Sequence, residues 1–265
     1  MLRLGVFFPK SMMTGRTGCG VCLFLLISCD TAVSQVPLLG RWQDFAYSAD
    51  AVQAQAAIKY DALLADLRGK GQLDDDAELT QRVRRIATGL IDKAVEQKPS
   101  ARFWRWEIHT TSEPTEEASS FSGGKLLFGT VYLRDLQLDD GELATLISHE
   151  VAHAAAEHQL EELSQVFYLN PGSIPITVET AMARLDGNLS IQIELATLLR
   201  IQEAEADQLG MMLAYNAGWP AASMVRFYKK LAARDSPTIL SWAYPTVRSR
   251  VNMAQILEIY FRATQ

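Results

Sequence analysis

The pentapeptide His149-Glu150-Val151-Ala152-His153 lies in a helical run that opens at Asp139-Asp140-Gly141-Glu142. On an α-helix, residues four apart stand one above the other on the same face. Both imidazoles can therefore aim at one shared point, as two ligands of a divalent metal require. Glu150 lies about 100° round the helix from His149, close enough to serve a water at that point without being a ligand. The chain holds only four histidines, so chance rarely produces this spacing. Whether it marks a site turns on what the rest of the chain supplies.

HExxH on a helix is the zinc-peptidase pattern, with the Glu as general base. A catalytic zinc usually takes three protein ligands and keeps one position open, and two His plus a Glu is a standard set. A later helical run offers Glu203-Ala204-Glu205-Ala206-Asp207. Glu203 and Asp207 share a face, whereas Glu205 points nearly opposite. Glu203 is the expected third ligand. Asp207 is placed to accept the outer N–H of a bound imidazole, fixing its tautomer. Without HExxH upstream, the same acids would read as a solvated helix face. His158 is about 140° round the helix from His153 and cannot join the same metal from that helix, so it reads as a core or surface residue. Glu157 reads as a neighbour of the site or a solvated residue, and His109 as a strand surface residue.

At 265 residues the chain is long enough for one substantial core. Its 48% hydrophobic and 21% charged content is globular rather than disordered or polytopic. A net charge of −6 without any basic block argues against nucleic-acid binding. Cys19, Cys22 and Cys29 all fall in the first thirty residues, which leaves no disulfide framework for the body of the protein.

Residues 1–28 carry Arg3, Lys10 and Arg16, no acid, and the apolar run Val21–Ile27. A basic segment followed by a short apolar one reads as a signal peptide, too short to span a bilayer. Met12 or Met13 would give a more usual signal length. Leu26-Ile27-Ser28-Cys29 resembles a bacterial lipobox, with Cys29 the residue to be lipidated. The alternative is an ordinary secretory signal with a coincidental cysteine. Asp30 resembles a signal for inner-membrane retention, but the choice of leaflet stays open.

Along the chain, residues 29–47 read as a tether and Ser48–Leu67 as a helix. Asp74-Asp75-Asp76 opens a second helix, which Pro99 ends. Phe103–His109 reads as a strand, 110–120 as a polar loop, and Lys125–Leu133 as a second strand or strand pair. The HExxH helix is expected to run to about Leu163. An irregular loop follows over 164–189, a candidate lid, and then a helix from Leu189 to about Asn216. Two more helices are expected at about 221–233 and 246–262.

HEVAHAAAEH followed by EAEADQLG resembles the gluzincin branch of zinc metallopeptidases that includes HtpX, BepA and the Ste-type prenyl-protein proteases. The resemblance covers about residues 48–265. It implies Glu203 as the metal ligand and Asp207 as its orienting partner. SSFSGGKLLFGTVYL resembles the family's NAF…GG strand, with Ser119 for the usual Asn. Near the end, Tyr244-Pro245 with Arg250 stands where the family often has HPxxxxR, so Tyr replaces a His.

The expected architecture is therefore α+β and mainly helical: a zincin-like domain over 48–265 with a small β-sheet and an HExxH active-site helix. The expected activity is zinc-dependent endoproteolysis in the bacterial cell envelope, with one Zn²⁺ per chain held by His149, His153 and Glu203, and Glu150 as base. The Lys125–Phe128 strand would bind an extended peptide edge-on. Substrates would be unfolded or misassembled envelope proteins, and the membrane contact a lipid on Cys29 facing the periplasm. The rival is a zinc-stabilised periplasmic chaperone or scaffold whose site is occluded.

Overall fold

The computed structural model describes residues 32–170, 174–234 and 244–264. The expected signal peptide 1–28 and Cys29 lie outside the described residues. The expected tether does not hold over its described part. Ala32–Gln35 (β1) and Trp42–Phe45 (β2) form an antiparallel hairpin. Phe45 is buried, and the buried Gln43 amide donates to Ala156 O at 2.9 Å and to Glu161 Oε2 at 3.0 Å. Polar heads with distant partners fix this segment, and apolar periodicity does not register such contacts.

Helix α1 (Ala49–Gly69) is capped by Ser48, and α2 (Ala77–Gln97) by Asp76, whose Oδ1 accepts from Leu79 N at 3.0 Å. Side-chain caps of this kind satisfy backbone donors that a helix start leaves free. Asp74 does other work. It takes a left-handed φ of 50° and accepts from Thr110 N at 2.8 Å, while its other oxygen meets His109 Nδ1 at 2.7 Å. His109 thus pins a strand, as a strand residue outside the candidate site.

Pro99–Phe103 forms a 3₁₀ turn, so β3 begins later than expected and covers Glu107–Thr111. The expected loop 110–120 contains the start of β4 (Ala118–Phe121), and β5 covers Lys125–Gly129. In this three-stranded sheet β5 is central, parallel to β3 and antiparallel to β4. The expected extension of β5 to Leu133 turns instead into α3 (Thr130–Leu136). Gly129 marks the change: a Cβ there would lie 1.9 Å from Glu116 O, so the neighbouring backbone crosses directly over it.

Helix α4 (Asp140–Ala155) opens with a reciprocal cap between Asp139 and Glu142, at 2.8 and 2.9 Å. From Gly141 to Ala155 every residue but His153 is buried, as expected of a helix through the middle of a core. Leu143, Ile147 and Val151 share one apolar cluster with Val83 and Leu90 of α2. The expected run to Leu163 breaks after Ala155. Glu157 takes a left-handed φ of 54°, and its carboxylate is held by Lys98 at 2.8 Å. Helix α5 (His158–Tyr168) begins after that residue.

The expected irregular loop is largely helical, since α5 reaches Tyr168 and α6 covers Val178–Gly187. The run from Leu189 is two helices, α7 (Leu189–Glu194) and α8 (Ala196–Asn216). Helices α9 (Ala221–Arg234) and α10 (Val247–Ala263) fall where expected. Leu209 and Leu213 of α8 and Phe227 of α9 close the cluster around α4. Among the described residues no helix is long and apolar enough to cross a membrane.

Candidate metal centre

Helix α8 rides on α4 at the first histidine. A Cβ at Gly210 would lie 2.9 Å from His149 N and 3.0 Å from His149 Cα, so only a glycine permits this approach. Glu203 and Asp207 lie seven and three residues before Gly210, on the same side of α8. The backbone contact therefore sets both acids against the HExxH face.

His149 Nε2 and His153 Nε2 are 3.0 Å apart. Glu203 Oε2 is 3.6 Å from the first and Oε1 is 3.5 Å from the second. One ligand atom from each of the three residues lies within 4.8 Å of the others. Glu203 Oε2 is buried without a hydrogen-bond partner, a costly condition for a carboxylate unless a cation completes it. Two imidazole nitrogens and one carboxylate oxygen suit zinc. The residues present fit that ion.

Asp207 is fully buried and lies 3.0 Å from His149 Nδ1. Arg250 grips it from α10 through Nε at 2.7 Å and a second nitrogen at 2.5 Å, and the Tyr228 hydroxyl donates to it at 2.8 Å. Burial pushes its carboxyl up, but the Arg250 charge and His149 outweigh that and hold it near about 2. An ionised Asp207 keeps the His149 proton on Nδ1 and leaves Nε2 free to bind. Arg250, whose role the sequence left open, thus acts through Asp207.

His153 has its own support, from residues that the sequence reading left out. His158 Nδ1 sits 2.9 Å from His153 Nδ1. Its Nε2 faces Glu205 Oε2 at 3.3 Å. Burial, reinforced by the charge of His153, pushes His158 down to about 4 against the pull of Glu205. A neutral His158 can accept the His153 Nδ1–H at its own Nδ1. Beyond Glu205, Arg41 of the hairpin bridges two acids, reaching Glu205 at 2.6 and 2.9 Å and Glu161 at 2.6 and 2.8 Å. Five-residue spacing rules His158 out on a continuous helix, and the break at Glu157 is what brings it in. For His153 itself, burial lowers the pKa, but the Glu203 carboxylate overrides it and lifts the ring to about 9. A bound cation would displace that proton.

Glu150 is buried and lines a cavity of about 560 Å³ together with His153 and Glu203. Burial raises its carboxyl, opposed by the charges of His149 and His153 and by a hydrogen bond from Ser120. The cavity runs between α1, β4, α4, α5, α6 and α8, with Tyr244 on its wall. Because β5 is paired on both sides, it offers no free edge for a peptide, contrary to expectation. Strand β4 pairs with β5 alone among the described residues, and Ala118–Phe121 border the cavity.

Residues 76–257, a span holding both histidines, Glu150, Glu203, Asp207 and Arg250, match the sequence model of Peptidase family M48. The chain belongs to peptidase family M48. As an M48 member it is similar to curated metallopeptidases of mitochondria and bacteria. It is 33% identical to the mitochondrial metalloendopeptidase OMA1 of Saccharomyces cerevisiae over 48% of this chain and 37% of that protein. The human metalloendopeptidase OMA1 is 25% identical over 81% of this chain and 44% of its own length. The beta-barrel assembly-enhancing protease of Escherichia coli is 24% identical over 72% of this chain and 41% of its own length. The chain thus spans less than half the length of these M48 relatives.

Proposed function

We propose that this M48 chain is a zinc-dependent endopeptidase of the bacterial cell envelope that hydrolyses unfolded or misassembled envelope proteins. The observation that carries the reading is the convergence of His149, His153 and Glu203 beside the buried carboxyl of Glu150 at one cavity. Bound by those three residues, zinc supplies Lewis acidity, polarising a peptide carbonyl and making water acidic near neutral pH. Glu150 takes a proton from the attacking water and hands it to the leaving amine. Its burial keeps the carboxyl basic enough for that exchange. Asp207 and His158 hold the two imidazoles in the tautomer that leaves Nε2 free.

An extended peptide adds to the edge of β4 that is unpaired among the described residues, through main-chain hydrogen bonds. Such recognition reads backbone more than side chains, so it suits unfolded chains. The envelope assignment draws on the lipobox reading at Cys29, which would tether the domain to a membrane on its periplasmic side. It draws also on the bacterial relatives named beta-barrel assembly-enhancing protease.

The test is incubation of the purified protein with casein and with a misfolded outer-membrane protein, with and without chelator. Cleavage should require the metal, and Glu150→Gln should keep the zinc while losing ~10²-fold or more of the rate. Binding without cleavage, unchanged in Glu150→Gln, would instead support the zinc-stabilised chaperone. Full proteolysis by Glu150→Gln would remove the assignment of the base.

A further inference from the structure

The acids around the cavity are not all accounted for by metal binding and proton transfer. Asp66, Asp186 and Glu157 are held by Lys70, Lys59 and Lys98 at 2.5, 2.6 and 2.8 Å. Glu150 and Glu203 belong to the metal centre. Two acids remain, Glu116 and Glu162, each only 7% exposed. Glu116 accepts from the Ser119 hydroxyl at 2.5 Å. Glu162 lines the cavity with no hydrogen-bond or ion-pair partner among the described residues.

The Glu162 carboxyl thus faces the cavity with no protein partner among the described residues, open to a cationic group of a ligand. Glu162 belongs to no second cluster with metal-ligand spacing among the described residues, so a second ion is not the natural occupant. It stands one helical turn beyond His158 on α5, on the same face. Leu185 and Leu199 line the same cavity. An apolar wall with an acid on it matches a side chain that has an aliphatic stem and a cationic head.

Resting on the peptidase reading above, we infer that Glu162 receives a Lys or Arg side chain of the substrate and makes the enzyme prefer a basic residue at one position near the scissile bond. Burial pushes the Glu162 carboxyl up to about 8, against the charge of His153. An incoming ammonium or guanidinium reverses that shift, and the proton leaves to solvent. Glu116, on the β4 side, carries a Ser119 hydrogen bond already and is the weaker candidate.

The test uses the full chain with zinc and a matched pair of peptides differing only by lysine or norleucine, moved through the positions around a cleavage site mapped in casein. At one position the wild type should cut the lysine peptide at least tenfold faster in kcat/KM. Glu162→Gln should bring that ratio toward one. Equal rates in the wild type at every position, or an undiminished ratio in Glu162→Gln, would overturn the inference while leaving the peptidase reading intact. If neither peptide is cut, the peptidase reading fails, and binding of the same pair by fluorescence anisotropy decides the remainder. Tighter lysine binding in the wild type, lost in Glu162→Gln, supports the acid's role, and equal binding refutes it.

Discussion

His158 Nδ1 meets His153 Nδ1 at 2.9 Å, so one imidazole orients another at the candidate metal centre. The contact continues through Glu205 to Arg41 on the N-terminal hairpin. Each of the two HExxH histidines is therefore backed by a different element: His149 by Asp207 and α10, His153 by α5 and the hairpin. The groups that orient ligands usually decide affinity and ring tautomer as much as the ligands' presence does.

Replacing His158 with Ala leaves the His153 Nδ1–H without its acceptor. Zinc affinity should fall about 10- to 100-fold, read by competition with a chromophoric chelator, and His158→Gln should recover part of the loss. An affinity equal to wild type in His158→Ala would show that the contact orients nothing.

Gly210→Ala tests whether close helix approach sets the metal geometry. Its Cβ would meet the His149 backbone at 2.9 Å, so α8 must retreat from α4. Overpacking of this kind costs about 1–3 kcal/mol. Thermal melts should show the loss, and zinc binding should weaken along with stability because Glu203 and Asp207 move with α8. A variant that melts early but keeps wild-type zinc affinity would separate the helix contact from the site.

Glu116 gives a pH prediction with a definite sign. Burial, against the Ser119 hydrogen bond, lifts its carboxyl from 4.5 to about 7 in the folded protein. The folded state therefore binds the extra proton between those values, and stability falls as pH rises from about 4.5 to about 7. The shift corresponds to at most about 3 kcal/mol. Glu116→Gln should match wild type near pH 4.5 and melt higher than wild type at pH 8, in paired thermal scans. Identical differences at both pH values would contradict this.

The residues bound to one another by helical period were legible in the sequence. His149 with His153, and Glu203 with Asp207, are four apart, and the structure brings all four together. The helix starts near Ser48, Asp76 and Asp139 were legible from local residues as well, although their capping contacts were not read. What escaped depends on distant partners. The break at Glu157 is a left-handed residue held by Lys98, just past the end of α2. Assuming a continuous helix there put His158 on the wrong side. Arg41 and Gln43 sit in a stretch with little apolar pattern, and only their partners on α5 and α8 reveal that the segment is folded. Strand β5 ends at Gly129 because Glu116 crosses over it, a contact with no local signature.

Glu203 crosses from α8 to complete the histidine pair on α4. The measurement that reaches it most directly is zinc titration of the metal-free protein, wild type beside Glu203→Gln, by isothermal calorimetry. The wild type should bind one ion per chain, and Glu203→Gln should bind it about 10²-fold more weakly or worse. That is at or beyond the upper end of the 10- to 100-fold losses typical of orienting groups. Equal affinity and stoichiometry in the two proteins would contradict the assignment of the third ligand.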